Sequence, residues 1–255
     1  MRTAMYNINE HSTRVPPKGK IAVYWLGGAG FIIKYSDGFT ICVDPYLSDS
    51  VERLFGFKRL YPAPIKADKL FFDAIFMTHE HADHLDEDSF DVLVKNNAGC
   101  QIYAPICCDN FLKSKKRAYT LVKPGDDLYA GDFTLKVTKA DHGELSPHAV
   151  GYLFEKENHR IWLTGDTAFT EEVLGPAIDM KPDIVLPCIN GAYGNMNEEQ
   201  AAQLVAGCAP AHAVPMHFGL FKEHGGDAVK FEMLVRQLSP KTRVHVLAPG
   251  DGIEI

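Results

Sequence analysis

The stretch FDAIFMTHEHADHLD, residues 72–86, runs from an apolar segment straight into a dense group of ionisable side chains. The apolar half is typical of a buried strand. After it comes the spacing H-x-H-x-D-H, formed by His79, His81, Asp83 and His84. In extended backbone alternate side chains point to the same side, so the first two histidines should lie together, and the other two residues should follow at a turn into a helix. The pattern predicts ligands for two adjacent metal ions.

Two other interpretations of this stretch fit less well. The helical zinc-protease motif H-E-x-x-H requires a histidine where Asp83 stands, and on a helix His79 and His84 would not share a face. A solvated charged turn would explain a single histidine, but it does not explain four ligand-type residues directly after an apolar strand.

A site for two metals needs further ligands, and three distant residues have suitable positions. His142, Asp166 and His217 each follow a β-like run. Each alone is more readily explained as an ordinary core or surface residue, but residues at strand ends can converge at one edge of a sheet. Together with the first group they form a candidate ligand set. The other histidines are expected to be structural or exposed; they are His11, His148, His159, His212, His224 and His245.

The composition limits the class of protein. The 255 residues are 46% hydrophobic and 23% charged, which provides enough apolar material for a large core. A net charge of −7 disfavours nucleic-acid binding, because no basic excess is present to neutralise phosphates. We expect no membrane insertion, and residues 1–20 favour a polar N-terminal arm without a signal peptide. Six cysteines without C-x-x-C spacing indicate reduced thiols in a cytoplasmic protein.

Predicted strands and helices alternate along residues 21–255, which favours one α/β domain. The predicted strands lie within 21–35 (two), 39–44, 72–79, 100–105, 133–140, 149–156, 160–165, 183–188, 213–217 and 243–250. Helices are predicted for 86–96, 197–208 and 226–238. The second begins with a capping box of Asn197 and Gln200. GGAG at 27–30 predicts a hairpin turn rather than a phosphate loop, because a strand pattern follows it and not a helix.

The order of these motifs resembles that of the metallo-β-lactamase superfamily. H-x-H-x-D-H, a strand-end histidine, TGDT and a late strand-end histidine extend the similarity over residues 21–250. The segments WLGGAGFIIKYSDGFTICVDPYLSD, DHGELSPHAVGY, TGDTAF and LPCINGAYGNMNEEQAAQL are similar to the L-ascorbate-6-phosphate lactonase branch and related hydrolases. The resemblance implies a four-layer αββα sandwich with the metal ions at one edge of the two sheets.

The resemblance also implies a role for each ligand. The first metal would be held by His79, His81 and His142, the second by Asp83, His84 and His217, and Asp166 would bridge both. Asp44, in VDPY, matches a position that supports the site by hydrogen bonding, and a buried structural carboxylate is an almost equally good interpretation.

The sequence differs from some related families of the superfamily, and these differences limit which activities the resemblance implies. Flavodiiron relatives have glutamate where His81 stands, so a diiron redox centre is disfavoured, and true β-lactamases commonly use cysteine or an altered second-metal set. The lactonases are longer than this chain, and PMHFGLF, residues 215–221, differs from their pattern around the last histidine. The fold and the metals therefore carry over better than the substrate.

The implied chemistry is hydrolysis. Two divalent cations can lower the pKa of a bridging water, and the resulting hydroxide attacks an acyl carbon or a phosphorus. Asp83 and Asp166 are the carboxylates expected to take part in catalysis. Histidine and carboxylate ligands suit Zn²⁺, with Mn²⁺ and Fe²⁺ as alternatives.

The expected substrate is a small carboxylic ester or lactone, such as the phosphorylated sugar acid L-ascorbate 6-phosphate. A phosphodiesterase acting on nucleotides, RNA ends or phospholipid head groups is one alternative. A non-hydrolytic binding protein on the same fold is another, and it is the weakest, because a binding module has no need for seven metal ligands. Arg59, Asn190 and Asn195 are candidate substrate contacts, and a solvated loop or a turn explains each of them at least as well.

Overall fold

The structure is a computed structural model that describes residues 5–130 and 133–255. It divides into two compact units. The first unit takes the described residues up to Leu121 together with Leu247–Ile255, and the second takes the described residues of Val122–Val246. The first four residues of the predicted N-terminal arm lie outside the described part, and the arm otherwise includes a short strand. The domain boundaries 1–20 and 21–255 stay a prediction.

Strands and helices alternate along the described residues. The strands are β1 (Met5–Asn7), β2 (Ala22–Gly27), β3 (Gly30–Lys34), β4 (Thr40–Val43), β5 (Ala74–Phe76), β6 (Gln101–Pro105), β7 (Thr120–Val122), β8 (Asp127–Ala130), β9 (Phe133–Lys139), β10 (Val150–Lys156), β11 (His159–Leu163), β12 (Ile184–Leu186), β13 (His212–Ala213), β14 (Arg243–Val244) and β15 (Asp251–Glu254). The α-helices are α1 (Ser50–Phe55), α2 (Glu87–Asn96), α3 (Asp109–Ser114), α4 (Glu171–Asp179), α5 (Glu198–Cys208) and α6 (Ala228–Leu238). Short 3-10 helices lie at Ile8–Glu10, Ala67–Lys69 and Ile106–Cys108.

The first sheet has the strand order β1-β15-β2-β3-β4-β5-β6-β7. The β4–β5 and β5–β6 pairs are parallel, so the carboxyl ends of β4 and β5 lie at one edge. Asp44 follows β4 at that edge, and residues 77–86 follow β5. The predicted glycine hairpin joins β2 and β3, with Gly27 in left-handed backbone at φ +92°. The sheet thus brings the histidine-rich segment beside Asp44.

Helix α2 covers part of the first sheet with one apolar face. Phe90, Leu93 and Val94, spaced as neighbours on a helix, are buried in the main apolar cluster of this unit. The side chain of Asp86 caps the helix by accepting from the backbone N–H of Ser89. The predicted helix at 86–96 is confirmed, and its start fixes the end of the histidine-rich segment.

The second sheet has the strand order β14-β13-β12-β11-β10-β9-β8. Strands β8 to β11 are antiparallel, whereas β11 to β14 are parallel. The carboxyl ends of β11, β12 and β13 therefore lie at one edge, and Asp166, Asn190 and His217 follow them. The capping box of Asn197 and Gln200 at the start of α5 is confirmed.

Some predicted strands are shorter in the structure, and some helices were missed. The predicted strand at 213–217 is limited to β13, because Pro215 has no N–H for the ladder and His217 has left-handed backbone. The strand predicted for 243–250 is limited to β14. Helices α1, α3 and α4 were not predicted.

Both units consist of a sheet accompanied by helices, which confirms the predicted α/β class. Among the described residues, none of the helices combines the length and apolar character that a membrane crossing requires.

Candidate functional site

The first unit brings the histidine-rich segment together as one cluster. The ring nitrogens His79 Nε2 and His81 Nδ1 are 2.9 Å apart, and the ring centroids of His79 and His84 are 4.0 Å apart. Asp83 Oδ2 lies 3.9 Å from His84 Nε2. The backbone N–H groups of His84 and Leu85 both donate to the carbonyl of His81, which closes the turn that gathers these side chains. The four residues predicted from H-x-H-x-D-H therefore converge locally.

Asp44 orients this cluster by hydrogen bonding. Its buried carboxylate accepts from His84 Nδ1 at 2.8 Å, from Thr78 Oγ1 at 2.6 Å and from the Thr78 backbone N–H at 2.8 Å. An ionised carboxylate only accepts, so the Nδ1 of His84 carries the proton and its Nε2 presents a lone pair. Asp44 has left-handed backbone at φ +41°, a conformation that non-glycine residues seldom adopt.

Thr78 is a functional contact that the sequence reasoning missed. Its hydroxyl donates to Asp44 and lies 3.0 Å from His79 Nδ1 and 3.2 Å from His84 Nδ1. Because the single hydroxyl proton goes to the carboxylate, the oxygen accepts from the ring N–H of His79, whose Nε2 is then left as a lone pair. The sequence signal for this contact was the position of a hydroxyl residue between a buried strand and the first histidine.

The second unit holds its own cluster around a buried carboxylate. Asp166 Oδ2 lies 3.3 Å from His217 Nε2 and 3.9 Å from His142 Nε2. All three residues are buried. They come from the ends of three different strands, so the sheet brings together residues that are far apart in sequence. His217 has left-handed backbone at φ +59°.

The two asparagines proposed as substrate contacts differ in their surroundings. The amide of Asn195 donates to Asp166 Oδ2 at 2.7 Å, and the side chain is buried. It orients the carboxylate, a role that the sequence did not indicate. Asn190, also buried, points its amide at the carbonyl of Ala192 at 3.5 Å, within a turn that contains Gly191 at φ +61°.

Arg59 stabilises a loop of the first unit by hydrogen bonding to backbone carbonyls. Its Nε donates to the carbonyl of Tyr61, and its Nη1 donates to the carbonyls of Tyr46 and Ser48. The guanidinium lies 4.6 Å from the centre of the Tyr46 ring. These contacts stabilise the loop after β4, and substrate binding by Arg59 stays a prediction.

The remaining histidines include one exception to the expected pattern. His11 accepts from the backbone N–H of Phe71, and His212 pairs with His245 at 2.9 Å between ring nitrogens, as structural residues do. The ring of His224, however, stacks on the ring of His217, with centroids 4.7 Å apart and planes 27° apart. Its position seven residues after His217, in the same connecting loop, was the only sequence signal.

Each cluster also has a buried cysteine nearby in its sheet. All six cysteines are free thiols. Burial raises the pKa of Cys42 well above its usual value, and burial together with the charge of Asp166 raises the pKa of Cys188 to about 12. Both thiols are therefore protonated at neutral pH and poor nucleophiles.

The donor chemistry of both clusters fits divalent metal ions. Imidazoles and carboxylates are the ligands that Zn²⁺ and similar cations take in hydrolases. In the first unit, hydrogen bonds on Nδ1 turn the Nε2 lone pairs of His79 and His84 towards a ligand role. The nitrogens of His79 and His81 approach to 2.9 Å, near the roughly 3.3 Å between two ligands of one tetrahedral zinc ion.

Comparison with known proteins identifies the family. A family model described as the beta-lactamase superfamily domain matches residues 22–217. A UPF0173 metal-dependent hydrolase of Caldivirga maquilingensis is 27% identical over 235 residues, covering 91% of this chain and 96% of the relative. A UPF0173 metal-dependent hydrolase of Anaeromyxobacter sp. (strain K) is 28% identical over 255 residues, covering 92% and 87%.

Solved structures agree on the fold. Igni18, a metallo hydrolase from Ignicoccus hospitalis KIN4/I, has a TM-score of 0.74 at 22% identity and covers 92% of this chain and 98% of its own. An isothiocyanate hydrolase from Delia radicum gut bacteria has a TM-score of 0.75 at 19% identity and covers 91% and 98%. The family match spans both clusters and confirms the predicted fold. The chain belongs to the beta-lactamase superfamily and is a metal-dependent hydrolase with the metallo-β-lactamase fold.

Proposed function

We propose that the two clusters together bind two divalent cations and hydrolyse a small carboxylic ester or lactone. In this proposal the first cation is held by His79, His81 and His142, the second by Asp83, His84 and His217, and Asp166 bridges both. Zn²⁺ or Mn²⁺ is the expected metal, and Fe²⁺ is an alternative. When bound, such a pair supplies a nucleophile from water at neutral pH and polarises the acyl carbonyl.

The observation that carries the proposal is the surroundings of Asp166. One of its carboxylate oxygens faces His217 Nε2 at 3.3 Å and His142 Nε2 at 3.9 Å, and the same oxygen accepts from Asn195. A buried carboxylate is costly unless positive charge or hydrogen bonds compensate it. Imidazoles whose Nε2 atoms face such an oxygen place potential ligand atoms where a cation shared with the carboxylate could bind.

The residues of the chain would act in two ways: carboxylates would balance the charge of the cations, and hydrogen bonds would keep the ligands in position. Asp83 and Asp166 would offset part of the four positive charges of two divalent cations, and Asp166 would orient the attacking water. Asp44 and Thr78 fix the ring orientation of the histidines in the first unit. Asn195 holds the carboxylate of Asp166 in place.

The substrate class rests on resemblance to the L-ascorbate-6-phosphate lactonase branch. The isothiocyanate hydrolase shares the fold with this chain and shows only that the fold accommodates other electrophiles. A small molecule acted on in the cytoplasm is part of the proposal, and six free cysteines suit that compartment.

The test combines metal analysis with a substrate panel. Metal-free protein is reconstituted with Zn²⁺ or Mn²⁺, the bound metal is counted, and the panel contains lactones including L-ascorbate 6-phosphate, carboxylic esters and phosphodiester reporters. We expect close to two metals per chain and turnover of lactones or esters. His81→Ala should lower the metal count, whereas the control His159→Ala should not, because His159 begins β11 while Asp166 follows its other end.

Three outcomes would overturn the proposal. Protein that binds no transition metal after reconstitution would exclude the metal pair. Metal-loaded protein that cleaves only the phosphodiester reporters would favour the phosphodiesterase alternative, and metal-loaded protein inert to the whole panel would favour a binding protein.

A further inference from the structure

A second histidine lies against the candidate ligand His217. The segment HFGLFKEHGG, residues 217–226, connects His217 to the start of α6. Within it the chain reverses, and the backbone N–H of His224 donates to the carbonyl of Phe221. The imidazole of His224 then stacks on that of His217 at 4.7 Å between centroids, with 27° between planes. Offset stacking of aromatic rings at this distance is attractive.

Two glycines fix the place of His224. A Cβ on Gly225 would lie 2.4 Å from the carbonyl oxygen of Asn190, closer than any side chain tolerates. Gly226 has φ +95°, and a Cβ there would lie 2.6 Å from Phe218 Cβ. The backbone after His224 therefore packs directly on residue 190, at the same edge of the sheet that holds the second cluster. Only glycine permits this approach.

Two further rings enclose His224. The centroid of the Phe221 ring lies 4.9 Å from that of His224, with planes 80° apart, and the centroid of the Tyr193 ring lies 5.9 Å away, with planes 67° apart. Together with His217, these rings surround the imidazole on three sides. Such packing restricts the rotation of His224, so its ring has a fixed orientation against which the His217 ring packs.

His217 and His84 are held in different ways. Its backbone is left-handed at φ +59°, a strained conformation for a non-glycine residue that persists when the surroundings hold it. His84, by contrast, is held by a hydrogen bond from Nδ1 to the carboxylate of Asp44. The stacked ring of His224 is a contact of a different kind, made against the face of the His217 imidazole.

We propose that His224 is a positioning residue, whose ring sets the plane of His217 so that Nε2 points at Asp166. The inference rests on the proposed function, in which His217 is a metal ligand. Its effect acts through His217, and His224 itself touches neither the metal nor the substrate.

The test compares three variants by metal affinity. His224→Ala removes the stacked ring and should weaken the more weakly bound of the two metals roughly 10-fold or more, as loss of a ligand's supporting contact does. His224→Phe keeps a planar ring and should retain affinity close to that of the wild type. His159→Ala is the control for loss of a histidine elsewhere in the second unit. Affinity is measured by competition with a chromogenic chelator, and thermal unfolding checks that each variant folds.

A second measurement does not need the metal. In metal-free protein with labelled histidine, the ring signals of His217 should show one orientation in the wild type and in His224→Phe, and averaging between orientations in His224→Ala.

The outcomes separate this inference from the proposed function. Unchanged metal affinity and unchanged His217 signals in His224→Ala would overturn the positioning role, and so would an equal loss of affinity in His224→Phe. A wild-type protein that binds no metal would instead overturn the proposed function, and the signals of metal-free His217 would then still decide whether His224 orients it.

Discussion

In the first unit, His84 donates its Nδ1 proton to a buried carboxylate, whereas in the second unit His217 lies flat against another imidazole. The hydrogen bond to Asp44 fixes both the tautomer and the orientation of the ring. Stacking fixes the plane of a ring but leaves its protonation open. The first cluster is thus oriented by charge and hydrogen bonds, and the second by packing around one carboxylate.

The largest expected effect concerns that carboxylate. Asp166→Asn should keep the fold, because an amide has the same shape and can still accept from Asn195. It should lower kcat by roughly 100-fold or more, because an amide cannot neutralise part of the charge of two cations. The measurements are kcat and metal content on the best substrate of the panel. Turnover near that of the wild type with both metals retained would show that the second cluster is not centred on Asp166.

The next effect compares a charged orienting contact of the first unit with a neutral hydrogen bond of the second. Asp44→Asn should lower metal affinity about 10- to 100-fold, because the amide N–H₂ would face either the N–H of His84 or the backbone N–H of Thr78. Asn195→Ala removes one neutral donor and should lower affinity less, by under about 10-fold. Affinity is measured for both variants under the same conditions. An equal or larger loss in Asn195→Ala would contradict the expectation that the charged contact of the first unit matters more than the neutral hydrogen bond of the second.

The smallest expected effect is that of thiol reagents, which should leave the buried cysteines of both units unmodified. Cys42 and Cys188 are buried and have raised pKa values, so neither should react with a thiol reagent at neutral pH while the protein is folded. Activity and metal content should stay unchanged, and both thiols should be labelled after denaturation. Peptide mass spectrometry locates the label. Inactivation that follows labelling of Cys188 in folded protein would assign that thiol a role in the second cluster.

The first cluster could be predicted from the sequence because its members are neighbours. A buried strand, the spacing H-x-H-x-D-H and the capped start of α2 leave little freedom for the side chains between them. The hairpin at 27–30 and the capping box of Asn197 and Gln200 are local in the same way. Local geometry links such patterns directly to structure.

The contacts of the second cluster could not be predicted in this way. Asn195 contacts Asp166 and His224 contacts His217 because loops fold back at the sheet edge. The periodicity of a sequence does not predict the path of such a loop. Thr78 was missed for a related reason, since its role depends on its contact with Asp44, which follows a different strand. Helix α1 is only six residues long, too short for a clear apolar pattern.

The parallel order of β11, β12 and β13 also affects how this protein can change over evolution. The three strands and the helices that follow them provide part of the buried core of the second unit, while the loops at their carboxyl ends carry the candidate site residues. Tyr193 lies in one of these loops and is 45% exposed, so replacing it removes little core packing. Substrate preference can therefore drift by loop substitution at little cost to the sheet, and a family with one scaffold can acquire many substrates.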